Sequence, residues 1–505
     1  MADFGETIAD AYDFEGESLD LGRGVREGKV VEQAAVRLPL ATSNRHGLIA
    51  GATGTGKTRT LQLLAEQLSA AGVPVVAADM KGDLSGIAQP GETGGPAEKR
   101  AADLGQEWQP QGFPTEFLSI GGIGPGVPVR ATVSDFGPLL LAKILEANET
   151  QEQSLSLVFR YADQKGLPIL DLADLRALLT FFDTDEGKAE LKGIGGVSSA
   201  TIGVLLRSLV QLEDGGGTKF FGEPQLDIAD LLRLAPDGRG IISCLELPAV
   251  QDKPRLFSTV LMWLLAELFE QLPEVGDVPK PKLVFFFDEA HLLFADATDA
   301  FLDSVVQTVR LIRSKGVGVF FITQTPKDIP ADVLAQLGNR LQHALRAFTP
   351  QDAKALKASV STYPTSEFYD LEELLTQLGT GEAAVTILSE KGVPTPVVHT
   401  RLRGPLAHME PADDVDGAAK ASPLFAKYGT RTDRESAREL LMARMEQSAE
   451  PAPEAAEPEP EPRRRRRTEP ARSGDPLTDF LGSRHGKTLQ REVIRGVFGM
   501  LRKRM

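Results

Sequence analysis

The stretch GATGTGKT, which begins at Gly51, constrains the fold of this chain more than any other part of its sequence. It matches the pattern G-x-x-x-x-G-K-[ST] through Gly56, Lys57 and Thr58, and Gly54 adds a further glycine. Glycines allow successive N–H groups to point into one concave turn, and a following helix adds the positive end of its dipole. The stretch therefore predicts a phosphate-binding loop between a buried strand and a helix.

Both flanks of the loop have the required character. HGLIA is a short strand-like run, and TRTLQLLAEQLSAAG is predicted to form an amphipathic helix that ends at Gly72. We expect Lys57 to contact the β- and γ-phosphates of ATP and the Thr58 hydroxyl to bind Mg²⁺. The predicted nucleotide-binding residues are Gly51, Ala52, Thr53, Gly54, Thr55, Gly56, Lys57, Thr58 and Arg59.

Two carboxylates follow a second apolar strand, in KPKLVFFFDEAHLLF. We expect Asp288 to hold the hydrated magnesium ion and Glu289 to polarise the water that attacks the γ-phosphate. Two acidic residues at a strand end are also common in proteins that bind no nucleotide. The intact phosphate loop favours the catalytic interpretation.

A third strand, VGVFFITQ, ends at Thr323 and Gln324. A polar residue at this position senses the γ-phosphate in motors whose sheet places this strand between the other two, and we expect that role of Gln324. Arg313 precedes the strand, in RLIRSKGVG. It either stabilises transition-state charge in a neighbouring subunit or is a solvated arginine favoured by the C-terminal end of its helix. The residues alone leave both alternatives open.

Short apolar strands alternate with helical segments, which predicts an α/β fold with a mainly parallel sheet. Further strand-like runs are KVVEQAAVRLPL, VPVVAADMKGDL, GRGIISCLEL, RLQHALRAF and EAAVTIL. The expected domains are an N-terminal segment (1–40), a first core part (41–133), an all-helical insertion (134–235), a second core part (236–405), a helical extension (406–448), a disordered charged linker (449–476) and a basic amphipathic helix (477–505).

Composition excludes several classes of protein. A single cysteine, Cys244, rules out a disulfide framework, and six scattered histidines offer no zinc cluster. No apolar run approaches the ~20 residues of a membrane span, and the acidic start differs from a signal peptide, so we expect a cytoplasmic protein. The absence of an N-K-x-D motif argues against a GTPase, and Glu289 argues against a kinase.

The net charge of −16 conceals a division of the chain. From Arg463 onward thirteen Lys and Arg face four Asp and Glu, a net +9, so residues 1–462 carry −25. Nucleic-acid-binding proteins usually have a basic face, so any DNA contact is expected from local loops or from the tail. The acidic body favours a secretion, coupling or regulatory ATPase that does not act on DNA, and this alternative stays open.

Five stretches resemble the HerA/FtsK superfamily of hexameric DNA-pumping ATPases, and in particular its bacterial HerA-like helicase branch: NRHGLIAGATGTGKT, GVPVVAADMKGDLSG, FFFDEAHLLF, VRLIRSKGVGVFFITQTPKDIP and LGNRLQHALRAFTPQD. The resemblance spans about 28–405, with a weaker part at REVIRGVFGML. It implies a RecA-like, ring-forming ATPase that uses ATP and Mg²⁺, with DNA as its track. The motor residues that it implies are Lys57, Thr58, Asp288, Glu289, Gln324 and, acting in trans, Arg313.

The resemblance does not extend to one feature of HerA proper. That protein grips a nuclease partner through an N-terminal β-barrel, and about forty residues are too few to form one. We therefore do not expect a nuclease partner bound in this way.

Overall fold

The protein is built around a mixed twelve-stranded sheet. The computed structural model describes residues 3–276, 278–294, 299–347 and 349–449. The strand order is β2-β1-β12-β11-β10-β3-β9-β8-β4-β7-β5-β6. The strands are β1 (Ser18–Arg26), β2 (Lys29–Pro39), β3 (Gly47–Ala50), β4 (Val75–Asp79), β5 (Thr115–Ile120), β6 (Val127–Val129), β7 (Ile242–Glu246), β8 (Leu283–Phe287), β9 (Val317–Thr323), β10 (Asn339–Gln342), β11 (Glu382–Thr386) and β12 (Val398–Leu402).

Adjacent strands from β10 to β6 pair in parallel, whereas β11, β12, β1 and β2 continue the sheet in antiparallel fashion. The α-helices are α1 (Phe4–Ala11), α2 (Lys57–Ala70), α3 (Pro96–Asp103), α4 (Val133–Ile144), α5 (Glu149–Lys165), α6 (Leu172–Phe181), α7 (Asp185–Lys192), α8 (Ser199–Leu212), α9 (Thr218–Phe220), α10 (Pro254–Gln271), α11 (His291–Phe294), α12 (Asp299–Ile312), α13 (Ala331–Leu334), α14 (Pro350–Val360), α15 (Leu371–Gln377), α16 (Val415–Ala421), α17 (Pro423–Tyr428) and α18 (Ala437–Ala449). The predicted α/β class and mainly parallel sheet are confirmed.

The central strands are mainly apolar because both faces of the sheet are covered. Every residue of β3, β4, β7, β8 and β9 is buried. Phe285 and Phe287 stack on one face of β8 with ring centroids 4.3 Å apart, and Phe286 packs against Phe320 of β9 on the other. This two-sided burial explains why these strands appear in the sequence as continuous apolar runs rather than as alternating patterns.

Helix α2 is more buried than the amphipathic helix that its sequence predicts, because ten of its 14 residues are buried and Ala70 alone is exposed. Its polar residues face other parts of the chain instead of solvent. The Glu66 carboxylate accepts the N–H groups of Leu406 and Ala407, and Ser69 donates to the carbonyl of Gly240. The helix that follows the phosphate loop is therefore held on all sides, which gives the loop a rigid base.

The N-terminal residues extend the sheet of the core. The predicted strand in KVVEQAAVRLPL is β2, which pairs with β1, and β1 in turn pairs with β12. Strand β1, SLDLGRGVR, was not predicted because its glycines and charged residues interrupt the apolar pattern. The fold requires these glycines, because a Cβ atom at Gly22 or Gly24 would lie 3.0 Å or less from atoms of the adjacent strands. The residues that hide the strand pattern in the sequence are therefore the ones that the sheet needs.

The segment predicted to be all-helical contains α4 to α9, between β6 and β7. Its aromatic core includes Phe136, which makes edge-to-face contacts with Phe220 and Phe221. The role of residues 134–235 as a separate insertion stays a prediction. Within the described residues, no helix combines the length and apolar character that crossing a membrane demands.

The strand predicted in RLQHALRAF ends at Gln342. The N–H of His343 still donates to Ala50 of β3, but the carbonyl of Ala344 accepts the N–H of Ala52 in the phosphate loop, and the N–H of Leu345 donates to Leu375 of α15. The chain also divides into two units, Met1–Glu439 and Leu440–Met505. Of the second unit the structure describes residues 440–449, which are helical, so the predicted basic helix and nearly all of the predicted linker lie outside the described residues.

Candidate nucleotide-binding site

The loop from Gly51 to Gly56 joins β3 to α2, as its sequence predicts. Gly54 and Gly56 have φ values of 77° and 109°, a region that side chains other than glycine rarely adopt. At Gly51 the constraint is also steric, since a Cβ atom there would lie 2.5 Å from the Cβ of His343. The glycines of the motif are therefore required by backbone geometry and close packing.

Backbone hydrogen bonds attach the loop to both neighbouring strands. The N–H of Gly51 donates to the carbonyl of Thr323 over 3.2 Å, and that of Ala52 to the carbonyl of Ala344 over 2.8 Å. Behind the loop, Nε2 of His343 lies 2.9 Å from the hydroxyl of Thr60 in α2. Burial lowers the pKa of His343 to about 4, so the imidazole is neutral near pH 7.

A turn before β11 supports the loop from another side. The N–H of Gly381 donates to the carbonyl of Thr55 over 2.9 Å. Glu382 anchors this turn, because its carboxylate accepts hydrogen bonds from Gly379 and from the guanidinium of Arg401 and lies 3.0 Å from Nε2 of His399. The His399 hydrogen bond is the main cause that lowers the pKa of Glu382 to about 2. Sequence patterns gave no indication of this support, which joins residues far apart in the chain.

Lys57 begins α2 and is buried against the loop. Its Nζ donates to the carbonyls of Gly51 at 2.7 Å and Ala52 at 3.2 Å. Burial lowers the pKa of Lys57, and the negative charge of Glu289 acts in the opposite direction. Thr58 and Arg59 follow in the same helical turn, where Arg59 donates to the side chain of Gln62.

Asp288 and Glu289 directly follow β8, and both are buried. The N–H of Glu289 donates to Oδ1 of Asp288 over 2.9 Å. Burial raises the pKa of Asp288 to about 7, and the neighbouring Glu289 charge adds to the effect. Glu289 has a φ of 46°, an uncommon conformation outside glycine, and the N–H of Ala290 fixes it by donating to the carbonyl of Ile322.

The two carboxylate oxygens of Glu289 have different surroundings. Oε1 lies 2.6 Å from Nζ of Lys81, whereas Oε2 is buried without a hydrogen-bond partner among the described residues, and Nδ1 of His291 is 3.5 Å away. Burial, the largest single effect, opposes ionisation of Glu289, but the Lys81 hydrogen bond and the nearby positive charges together outweigh it and lower the pKa of Glu289. The result is an ionised, positioned carboxylate with one oxygen available to a further donor, such as water.

Strand β9, which ends one residue before Gln324, pairs with β3 on one side and with β8 on the other, as the proposed role of Gln324 requires. Thr323 is fully buried and its hydroxyl donates to Asp328 over 3.1 Å. Gln324 is exposed and lines a cavity of about 500 Å³ together with Ala52 and Thr53 of the loop. Gln324, rather than Thr323, is therefore the polar group that faces the site.

Arg313 is the one predicted site residue that the structure places away from the others. It precedes β9, whereas Gln324 follows it, so the seven residues of the strand separate them. At about 3.3 Å per residue this corresponds to roughly 20 Å. Arg313 lies instead near His46, which precedes β3. Burial is the main cause that lowers the pKa of His46 to about 4, and the charge of Arg313 lowers it further. Arg313 therefore lies at the opposite edge of the sheet from its own subunit's phosphate loop.

Two further carboxyls stand at the same edge of the sheet as the phosphate loop. Asp79 ends β4 and pairs in register with Glu246, which ends β7. Burial and then the charge of Asp79 raise the pKa of Glu246 to about 8, so this side chain is protonated near pH 7. Asp79 and Lys81 belong to the run VPVVAADMKGDL, which was predicted only as a strand.

The oxygen groups near the loop fit a magnesium ion. Mg²⁺ prefers oxygen ligands and is usually bound through one or two protein side chains together with substrate phosphates. Thr58 and Asp288 supply a hydroxyl and a carboxylate beside the loop, and among the described residues no cluster of three acidic, histidine or cysteine side chains competes with them. The residues present therefore suit a magnesium–nucleotide complex.

The sheet carries a glycine-rich phosphate loop after β3, a carboxylate pair after β8 and a polar residue after β9, the strand between them. This arrangement is that of a RecA-like P-loop ATPase. Residues 25–504 match the family model described as helicase HerA-like C-terminal. The chain belongs to that family, which confirms the resemblance seen in its motifs.

Individual relatives agree with this assignment. The chain is 23% identical over 406 residues to the DNA double-strand break repair helicase HerA of Sulfolobus acidocaldarius, a match that covers 77% of this chain and 71% of the relative. It is 28% identical over 154 residues to the probable helicase MJECL08 of Methanocaldococcus jannaschii, which covers 28% of each chain. Among solved structures, the bacterial conjugative coupling protein TrwBdeltaN70 in its trigonal form with sulphate aligns with a TM-score of 0.50 at 16% identity, over 80% of this chain and 94% of that one.

Proposed function

We propose that this chain is an ATP-hydrolysing motor that works as a hexameric ring and translocates on or remodels DNA. The observation that carries the hydrolytic part is the buried carboxylate of Glu289, whose Oε2 has no hydrogen-bond partner among the described residues, at the sheet edge of the phosphate loop. A catalytic base requires an ionised carboxylate that can still accept a proton from water, and Oε2 has this character.

The proposed roles follow from the placement of each group. The backbone from Gly51 to Arg59 cradles the phosphates, and Lys57 neutralises their charge. Thr58 and Asp288 hold Mg²⁺, which screens charge on the phosphate oxygens. Glu289 orients and deprotonates the attacking water, and Gln324 contacts the γ-phosphate from β9.

The position of Arg313 supports the proposed ring. Because Arg313 lies at the far edge of the sheet from its own loop, it can act on a nucleotide only in the site of a neighbouring subunit. The similarity to a DNA repair helicase supports DNA as the track. The division into two core parts, 41–133 and 236–405, around the helices of 134–235, and a cytoplasmic location, stay predictions.

Two substitutions test the proposed hydrolysis. Lys57→Ala removes a phosphate contact and should abolish ATP binding and turnover together. Glu289→Gln keeps the shape and should bind ATP while turnover falls at least ~100-fold, which is the contribution of a general base. Glu186→Gln, an exposed carboxylate in α7, is the matched control and should behave like the wild type. Wild-type turnover in Glu289→Gln would remove Glu289 from the mechanism.

A second function is favoured by one observation, the net charge of −25 over residues 1–462. A body of this charge repels DNA phosphates unless local loops or the basic tail overcome it. The alternative is a secretion, coupling or regulatory ATPase that does not act on DNA. ATP turnover measured with and without duplex and single-stranded DNA separates the two: stimulation supports the motor on DNA, and an unchanged rate supports the alternative.

A further inference from the structure

A tight turn after β4 presents Lys81 at the edge of the sheet. The carboxylate of Asp79 accepts the N–H groups of Lys81, Gly82 and Leu84, at distances between 2.7 and 3.1 Å. Gly82 has a φ of 75°, which completes the turn. Three hydrogen bonds from one buried carboxylate fix the backbone of this turn, so the direction in which Lys81 leaves it is defined by the fold.

The turn brings the ammonium group of Lys81 to the proposed base. Strand β4 pairs in parallel with β8, with Ala78 opposite Phe287, so the residues that follow the two strands lie side by side. Nζ of Lys81 is 2.6 Å from Oε1 of Glu289, and the side chains are 45% and 10% exposed, respectively. A half-exposed ammonium on a flexible stem can move, whereas the buried carboxylate is held by its backbone.

The site contains a second ammonium group close by. The positive charges of Lys81 and Lys57 both lower the pKa of Glu289. Burial is the main cause that lowers the pKa of Lys57, and the charge of Lys81 adds to this effect. The three groups thus share one small region beside the phosphate loop. The carboxylates of Glu289 and Asp288 both act on the two ammonium groups. Asp288 is the proposed Mg²⁺ ligand, so the two ammonium groups are the positive charges of the protein that can contact an additional anion here.

We propose that Lys81 is a γ-phosphate contact that exchanges its ammonium group between Glu289 and the terminal phosphate of bound ATP. The inference rests on the proposed hydrolysis and adds to it a residue that distinguishes ATP from ADP. While Oε1 of Glu289 is paired with the ammonium group of Lys81, this contact holds the carboxylate toward the turn after β4. A γ-phosphate competes for the same ammonium with more than one negative charge, and ADP offers no group at that position. Binding of ATP therefore releases the base that its hydrolysis requires.

Nucleotide binding to Lys81→Met tests the exchange without relying on turnover. Methionine preserves most of the apolar stem and removes the charge. We expect affinity for ATPγS to fall about tenfold, the effect of one charge-assisted hydrogen bond, while affinity for ADP stays within about twofold of the wild type. ATP turnover should fall as well, and Lys81→Arg should recover part of both because it keeps the charge. Displacement of a fluorescent ADP analogue measures both affinities.

Lys188→Met is the matched control, because Lys188 also pairs with a carboxylate, Asp183, at 3.2 Å, but does so on α7. It should leave both affinities and turnover unchanged.

Equal loss of ATPγS and ADP affinity together with a lower melting temperature in Lys81→Met would indicate a structural role and overturn the inference. Faster turnover with unchanged ATPγS affinity would also overturn it, because Lys81 would then only restrain Glu289. If the wild type neither binds nor hydrolyses ATP, the proposed function fails and this inference with it; a wild-type ATPase with an inert Lys81 variant refutes the inference alone.

Discussion

The backbone N–H of Gly51 donates to the carbonyl of Thr323 over 3.2 Å, which joins the start of the phosphate loop to the end of β9. The preceding carbonyl of the same strand, that of Ile322, accepts the N–H of Ala290, the residue after the proposed base. The loop and the carboxylate pair are thus held by consecutive residues of one buried strand. Their relative position is set by main-chain geometry and does not depend on any exposed side chain.

The packing of Gly51 leads to a prediction about stability. In Gly51→Ala the new Cβ would approach the Cβ of His343 to 2.5 Å, so the loop or β10 must shift, and we expect a loss of about 1–3 kcal/mol in the free energy of unfolding. Gly54→Ala is the comparison, because nothing lies within 4 Å of its Cβ position and only its φ of 77° is unfavourable. We expect it to lose about 1 kcal/mol. Urea unfolding of both variants measures the difference; equal losses would show that β10 does not restrain the loop.

The position of Arg313 predicts a site shared between subunits. Arg313→Ala should keep ATP affinity and lose turnover, because the arginine acts only in the transition state of a neighbour's site. An equal mixture of Arg313→Ala and Glu289→Gln subunits should regain activity. About one quarter of the interfaces in a randomly mixed ring then combine an intact Arg313 with an intact Glu289. Turnover of the mixture, compared with each variant alone, is the measurement.

The control for this experiment is the double variant Arg313→Ala with Glu289→Gln in one chain. Mixed with Arg313→Ala, it offers no interface with an intact Arg313, so activity should stay absent. Recovery in that mixture, or none in the first, would contradict a trans-acting Arg313. A wild type that stays monomeric with nucleotide would do the same.

The sequence could predict those parts of the site that depend on neighbouring residues. The phosphate loop, the carboxylate pair after LVFFF and the strand before Gln324 each combine a short motif with a local apolar pattern, and the structure places all three at one edge of the sheet. Lys81 appeared in the sequence as a polar residue after a strand, but its partner Glu289 is 208 residues away. The support of the loop by His343 and by the turn at Gly381 likewise arises from tertiary packing, which periodicity does not reveal.

The same limit applies to the fold. Buried strands such as β8 are continuous apolar runs and were predicted, whereas β1 and the short β6 have no such pattern and are defined by their neighbours in the sheet. Helix α2 illustrates the reverse error. Its polar residues indicated an exposed face, but distant backbone groups use them as hydrogen-bond partners.

Glu246 predicts a pH dependence of stability. Its pKa of about 8 in the folded chain exceeds the ordinary value of 4.5, so its contribution to stability is complete below pH 4.5 and is lost as the pH rises toward 8. Glu246→Gln cannot ionise, and its stability relative to the wild type should therefore rise with pH, by at most about 1.4 kcal/mol per unit. Denaturant unfolding of both proteins at pH 5 and pH 8 measures this difference, with Glu186→Gln as the exposed control. Parallel curves would show that the pKa of Glu246 is ordinary.

The tail predicts a salt-dependent contact with a polyanion. Its sequence contains five consecutive arginines, at 463–467, and residues from Arg463 onward carry a net charge of +9. Arginines that neutralise DNA phosphates release counterions, so affinity falls as salt rises, with a log–log slope of about −0.9 per phosphate. Deleting residues 450–505 should leave basal ATP turnover intact, weaken DNA binding at low salt and reduce the slope, by about 4.5 if the five arginines are the phosphate contacts that are lost. The acidic run EPAPEAAEPEPEP precedes the arginines and can pair with them instead.

Replacing only the five arginines by glutamine distinguishes a direct phosphate contact from an effect of the rest of the tail. A deletion that abolishes basal turnover would place the tail in the assembly of the motor, and unchanged DNA affinity at low salt would remove it from DNA binding.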